Sequence, residues 1–202
     1  LEALAVRPLE KMIFASSSSV YGDCPQLPAA EDSLCRPLSP YGVSKLASEH
    51  LCMLYARAHG VPVVALRYFT VYGPRQRPDM AFSRFIRALR AGTEIVIYGD
   101  GLQTRDFTYV DDVVEANILS MEKGRPGEVL NIGGGSRIFL LGVVRMMGEI
   151  MGIQPVIRHE EPQKGDVRNT WADISRARNH LGYQPGTTME EGLRKMIAAF
   201  CE

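Results

Sequence analysis

Residues 15–45 read ASSSSVYGDCPQLPAAEDSLCRPLSPYGVSK, and the placement of this stretch decides the fold. The apolar run Met12-Ile13-Phe14-Ala15 leading into it predicts a buried strand, whose carboxyl end delivers Ser16 to Ser19 to the place where open α/β sheets bind ligands. After a loop rich in proline and acidic residues, Ser39-Pro40 has the form of an N-cap followed by proline at the first helical position, so Tyr41 and Lys45 fall in the opening turns of a helix. Their i, i+4 spacing puts both on one face. A tyrosine alone is a poor base at neutral pH, but a fixed ammonium nearby favours its phenolate. With a serine hydroxyl at the strand end, it would hold a substrate hydroxyl in the arrangement needed to take a proton as hydride leaves the same carbon.

Outward from there, strands and helices alternate. Residues 1–6 read as the last turns of a helix. Residues 41–58 carry an apolar stripe closed by Gly60 and Pro62, and Val63 to Tyr68 is a buried parallel strand. Asp79 to Ala91 is an amphipathic helix with Phe82, Phe85, Ile86 and Leu89 on one side, and Ile95 to Tyr98 is a short strand. Asp111 and Asp112 suit a helix N-terminus. Glu128 to Ile132 is a further strand, with Gly133-Gly134-Gly135 as the tight turn after it. Ile138 to Met151 reads as a helix whose Met146, Met147, Ile150 and Met151 form a core stripe, with Phe139 and Gly142 in its weakly capped first turn, and a last helix runs from Met189 to Phe200.

The chain has 202 residues, 46% of them hydrophobic, enough to bury a substantial core. Lysine plus arginine and aspartate plus glutamate both number 23, and no like-charge run argues for nucleic acid or a membrane surface, so the expected ligand is a small molecule. Cys24, Cys35, Cys52 and Cys201 lack metal-ligand spacing and read as reduced thiols; His50, His59, His159 and His180 likewise suggest no metal. Neither a signal sequence nor an 18-residue apolar run is present, which makes a cytoplasmic location the expectation.

The serine cluster with its VYG, the SPYGVSK element, RYFTVYGPRQRPDMAF over 67–82, GLQTRDFTYVDDVVEA over 101–116 and GDVRNTWAD over 165–173 resemble the extended short-chain dehydrogenase/reductase family, the nucleotide-sugar epimerases and dehydratases. That resemblance implies an α/β fold: the C-terminal part of a Rossmann-type doubly wound parallel sheet with an interleaved smaller α/β substrate lobe. Residues 1–73 and 106–135 would form the partial NAD-binding domain, and 74–105 and 136–202 the nucleotide-sugar lobe. It implies NAD as cofactor, Ser17, Tyr41 and Lys45 as catalytic residues, and Ser16, Tyr41, Lys45, Tyr68 and Phe69 beside the cofactor. On the substrate side it implies Tyr98 stacked on the base, Arg105 on the diphosphate, and Asp166 and Arg168 near ribose and phosphate. From the residues alone, Tyr68 and Phe69 also suit plain core aromatics, Tyr98 a strand-end surface aromatic, and the 165–168 segment a solvated loop. The family's opening strand and glycine-rich turn lie nowhere before Met12, so about 100 residues of the fold are expected beyond this sequence, lost by truncation or fragmentation or supplied by another polypeptide.

Within that family, dehydratases eliminate water with an Asp-Glu pair directly after the catalytic hydroxyl residue. Here those places are Ser18 and Ser19, neither a strong acid or base at neutral pH, which leaves 4-epimerisation through a 4-keto sugar. Thr70 stands where glucose-type epimerases carry Asn, and FTVYGPRQRPDMAF with SSSS is most similar to UDP-glucuronate 4-epimerases. Ser18, Ser19 and Thr70 would surround a C5 carboxylate, with Arg77 on carboxylate or diphosphate. UDP-glucose is the alternative substrate, and a non-catalytic remnant binding a nucleotide-sugar is the alternative function. The resemblance also implies homodimer pairing through the helix that begins at Tyr41.

Overall fold

The computed structural model describes residues 1–7, 9–163 and 165–200. In chain order the elements are α1 (Glu2–Val6), β1 (Met12–Ser17), a 3-10 turn (Ser18–Val20), α2 (Pro40–His59), β2 (Val63–Tyr68), β3 (Val71–Tyr72) and α3 (Ala81–Ala91). There follow β4 (Ile95–Tyr98), β5 (Thr104–Arg105), β6 (Thr108–Tyr109), α4 (Val110–Lys123), β7 (Val129–Ile132) and β8 (Ile138–Phe139). The last are α5 (Leu140–Met151), β9 (Ile157–Glu160), α6 (Ser175–Leu181) and α7 (Met189–Ala198). Cys201 lies outside the described residues.

β1, β2 and β7 form a three-stranded parallel sheet in the order β1-β2-β7. Side chains alternate across a strand, and the two faces of β2 are both apolar for that reason. Val63 and Ala65 pack with Met12, Phe14, Cys52 and Met53 on the α2 side. Val64 and Leu66 pack with Ile13, Val113, Ala116, Ala177 and Leu181 on the side of α4 and α6. Helices on both faces make this an α/β sheet buried on each side, as expected of a continuous VVAL run.

A second core joins Phe82, Phe85, Ile86 and Leu89 of α3 to Val143, Val144 and Met147 of α5, Leu193 and Met196 of α7, and Ile95 and Ile97 of β4. β4 pairs with β9 in parallel. α7 opens with a capping box in which Thr188 accepts from the Glu191 amide and the Glu191 side chain accepts from the Thr188 amide.

Two helix starts differ from the sequence expectation. Ile138 and Phe139 are strand, paired antiparallel with Arg105 and Thr104, so α5 starts at Leu140. Its N-cap position is Phe139, which offers no side-chain cap. α3 starts at Ala81, because residues 77–80 make a turn in which the Met80 amide donates to the Arg77 carbonyl and the Asp79 carboxylate is held by Arg77. Among the described residues no helix is long and apolar enough to cross a membrane.

Candidate active site

Ser39 caps α2 as expected, accepting from the Gly42 amide at 3.1 Å, with Pro40 in the first turn. Gly42 then matters for a second reason. A Cβ built there would lie 2.6 Å from the Ser19 carbonyl oxygen, so only glycine lets the first turn of α2 press against the serine segment. Tyr41 and Lys45 follow on this tightly docked turn. The Lys45 ammonium donates to the Ala15 carbonyl of β1 at 2.8 Å and stands 5.8 Å from the Tyr41 ring centre.

The carboxyl ends of β1 and β2 open into a cavity of about 470 Å³. Ser16 to Ser19, Tyr41, Tyr68, Phe69, Thr70 and Arg77 all line it. Ser17 is the N-cap of the 3-10 turn, accepting from the Ser19 amide at 3.1 Å and donating to the Ser19 hydroxyl at 3.2 Å. Ser16 reaches the same wall but commits its hydroxyl proton to Glu49 at 2.6 Å. Tyr68 donates to Asn117 of α4 at 2.8 Å; burial pushes its phenol up, partly offset by that hydrogen bond. Phe69 is buried with its ring 6.2 Å from that of Tyr21. Arg77 is ion-paired to Asp79 at 3.0 Å, both well exposed.

Thr70 also lines a neighbouring cavity of about 240 Å³, with Tyr98, Phe82, Phe107, Arg105 and Asp166 around it. A third space of about 140 Å³ lies between Ser18, Ser19 and residues 165–170, again touching Thr70. The structure thus gathers the serines, Thr70, Tyr98, Arg105 and Asp166 around three neighbouring cavities that share Thr70 in their walls. Arg105 donates to Asp166 at 2.6 Å and to the Arg168 carbonyl at 3.1 Å. Arg168 pairs with Asp100 at 2.8 Å, and that hydrogen bond holds the Asp100 carboxyl below its ordinary range.

These cavities rest on a glycine turn and a buried carboxylate. Asp106, fully buried, accepts from the Gly134 amide at 2.6 Å and the Ala172 amide at 3.0 Å. A Cβ on Gly134 would lie 2.2 Å from the Phe107 carbonyl oxygen, so this turn needs glycine for close approach. Burial pushes the Asp106 carboxyl up to about 6 even though both amide hydrogen bonds lower it.

Sequence reasoning passed over three residues. Arg75 lines the larger cavity with φ of 62°, a left-handed conformation that costs a non-glycine residue on the order of 1 kcal/mol and tends to mark functional sites. Glu49 and Arg67 form a buried ion pair directly behind the serines, Arg67 Nη2 to Glu49 Oε1 at 2.6 Å. The available signal was parity: Ser16 and Arg67 are register partners, and the alternation Met12, Phe14, Ser16 and Val63, Ala65, Arg67 points all six toward α2. Burial is the largest single influence and opposes the Arg67 charge, but the hydrogen bonds and electrostatic attraction of Glu49 and Tyr21 together outweigh it and hold the guanidinium more firmly protonated than usual. Cys24, Cys35 and Cys52 are free thiols, and among the described residues no three His, Cys, Asp or Glu side chains converge to hold a metal ion.

A family described as NAD dependent epimerase/dehydratase matches residues 1–133. The chain belongs to the NAD dependent epimerase/dehydratase family. Among its epimerase relatives, the uncharacterized UDP-glucose epimerase YtcB of Bacillus subtilis (strain 168) is 45% identical over 98% of this chain and 63% of its own length. The UDP-glucuronate 4-epimerase of Thermodesulfobacterium geofontis (strain OPF15) is 38% identical over 98% of this chain and 61% of its own. The crystal structure of UDP-glucuronic acid 4-epimerase from Bacillus cereus, in complex with UDP-glucuronic acid and NAD, superimposes with a TM-score of 0.96 at 44% identity, covering 99% of this chain and 64% of that one. The chain therefore spans a little under two thirds of the length of these epimerase/dehydratase relatives.

Proposed function

We propose that the chain carries the catalytic and nucleotide-sugar-binding part of an NAD-dependent 4-epimerase that interconverts UDP-glucuronate and UDP-galacturonate. The observation that carries this reading is the composition of the larger cavity. Hydroxyls from Ser17, Ser18, Ser19, Tyr41 and Thr70 and the cations of Arg75 and Arg77 line it, with no carboxylate or imidazole among its described lining residues. Such a wall favours an anionic sugar, because hydroxyl donors and guanidinium forks match a carboxylate. It also lacks the acid and base that elimination of water requires.

The donor set fits the nicotinamide end of NAD: the Tyr41 and Tyr68 phenols and the Phe69 face sit with Ser16 at the carboxyl ends of β1 and β2, where α/β sheets bind ligands. When bound, NAD supplies the two-electron acceptor and donor for the C4 hydrogen. Tyr41 takes the O4 proton and later returns it, while Ser17 holds the same oxygen by a hydrogen bond. Lys45, anchored on the Ala15 carbonyl, presents its positive charge to the tyrosine ring and the nicotinamide ribose. Ser18, Ser19, Thr70 and Arg77 cradle the C5 carboxylate. Tyr98 stacks on the uracil, Arg105 and Arg168 take the diphosphate in exchange for Asp166 and Asp100, and Asp166 turns to ribose hydroxyls. On this reading residues 1–73 and 106–135 serve the cofactor, and 74–105 and 136–202 the sugar nucleotide.

The protein works in the cytoplasm in carbohydrate metabolism. It pairs as a homodimer through α2, whose Val43, Leu51 and Leu54 are each more than half exposed. UDP-glucose is the second substrate reading, favoured by the name of the Bacillus subtilis relative. Incubating the polypeptide of the complete reading frame with NAD and either UDP-glucuronate or UDP-glucose separates the two. UDP-galacturonate alone supports the proposal, UDP-galactose alone transfers it to the neutral sugar, and binding without conversion of either points to a non-catalytic nucleotide-sugar binder.

A further inference from the structure

Behind the serines lies a charged cluster that the reaction does not use. Glu49 is 1% and Arg67 5% exposed, between α2 and the sheet. Burying two ions costs several kcal/mol each before pairing, and a well-packed apolar pair of similar volume is about as stabilising. Stability alone therefore gives no reason for ions at this position; their contacts do.

Glu49 Oε2 accepts from Ser16 Oγ at 2.6 Å and from Arg67 Nε at 3.0 Å, and Oε1 accepts from Arg67 Nη2 at 2.6 Å. Arg67 Nη1 donates to the Tyr21 hydroxyl at 2.8 Å and to the Glu31 carbonyl at 3.0 Å. Tyr21 passes the chain on to Asn131 of β7 at 2.7 Å. These links tie together different segments, and three of their attachment points, Ser16, Glu49 and Arg67, lie beside or one helical turn from residues of the proposed chemistry. Tyr41, Lys45 and Glu49 are spaced i, i+4, i+8 and share one face of α2. Ser16 precedes Ser17 on β1, and Arg67 precedes Tyr68 on β2.

We propose that the Glu49–Arg67 pair, with Ser16 as its link to β1, is a positioning device that sets the separation of Ser17 from Tyr41 and Lys45. This rests on the epimerase reading above. A bidentate guanidinium and a doubly occupied carboxylate accept only a narrow range of geometries. An apolar contact would let α2 slide, and an error near 1 Å in a reacting group costs on the order of 100-fold in rate.

The test uses the full-length protein with NAD and whichever UDP-sugar it converts. The double variant Glu49→Met/Arg67→Met removes both charges together, so no unpaired ion is left buried. It is expected to fold, to bind UDP with unchanged affinity because that cavity lies around Tyr98 and Arg105, and to lose about 10- to 100-fold in kcat at constant KM. Amide exchange at Ser17 to Ser19 is expected to quicken without a matching fall in global stability. Ser16→Ala, which cuts the link to β1, is expected to lower kcat several-fold with KM for the sugar nucleotide and affinity for NAD unchanged, which separates loss of positioning from loss of a cofactor contact. A folded double variant with native kcat overturns the proposal, as does a Ser16→Ala protein with native kcat. A double variant that cannot fold while Ser16→Ala is fully active assigns the cluster to stability and overturns it too. If the native protein converts no UDP-sugar, the epimerase reading itself fails and takes this one with it, an outcome distinct from an active native enzyme with equally active variants.

Discussion

Gly42→Ala tests the docking of α2 on the serine segment with a single methyl group. Glycine inside a helix ordinarily costs about 0.5–1 kcal/mol relative to alanine, so a substitution judged by propensity alone would stabilise the protein. At Gly42 the new Cβ would stand 2.6 Å from the Ser19 carbonyl oxygen and 2.9 Å from the Pro37 Cβ. The first of these is about 0.8 Å inside ordinary van der Waals contact, and it is made to backbone, which no rotamer change relieves. Overpacking of this kind costs roughly 1–3 kcal/mol, which cancels or exceeds the propensity gain. The movement needed to relieve it separates Tyr41 from Ser17, so kcat is expected to fall about 10- to 100-fold. Gly142→Ala provides the contrast: its Cβ would meet only Ile138 Cγ2 at 3.9 Å, and a gain of about 0.5–1 kcal/mol with native activity is expected. Urea unfolding and steady-state kinetics on both variants read the two effects. A Gly42→Ala protein as active as native and more stable, like Gly142→Ala, would refute the reasoning.

Tyr41→Phe is expected to reduce turnover by about 100- to 10,000-fold, the usual worth of general acid–base catalysis, while calorimetric UDP-sugar affinity stays near native. Thr70→Ala should raise KM for UDP-glucuronate several-fold more than for UDP-glucose in parallel kinetics; equal changes would remove Thr70 from the carboxylate cradle. Asp106, pushed up to about 6 by burial, binds its proton in the folded chain at pH values where the unfolded chain has lost it. Stability contributed by that proton is complete below about pH 4 and is lost as pH rises through about 6, roughly 3 kcal/mol in all. Asp106→Asn should therefore flatten the difference in urea-unfolding free energy between pH 4.5 and pH 7, and an unchanged difference would contradict the assignment.

Much of this is written locally in the chain. Ser39-Pro40 caps α2 and Val63 to Tyr68 forms the central strand because cap chemistry and an apolar run need only near neighbours in sequence. What escaped reading depends on distant partners. Ile138 and Phe139 carry a helical pattern yet pair with Thr104 and Arg105, more than 30 residues away. Arg105 meets Asp166 across 61 residues, so the two expected ligand contacts hold each other in this structure. The alternation along the strand puts Arg67 on the same face as Val63 and Ala65, but only the register, which sets it opposite Ser16, and its contact with Glu49 show why a charge is buried there. The absence of acidic residues among the described lining of the larger cavity, which discriminates most between reaction types, is a property of several segments at once.

Proton NMR of the reaction in deuterium oxide tests the central claim most directly. If Tyr41 and Ser17 handle only the O4 proton while the C4 hydrogen leaves and returns without meeting solvent, UDP-galacturonate formed from UDP-glucuronate with NAD will carry protium at C4. Deuterium at C4, or product formed equally well by Tyr41→Phe, would contradict the account.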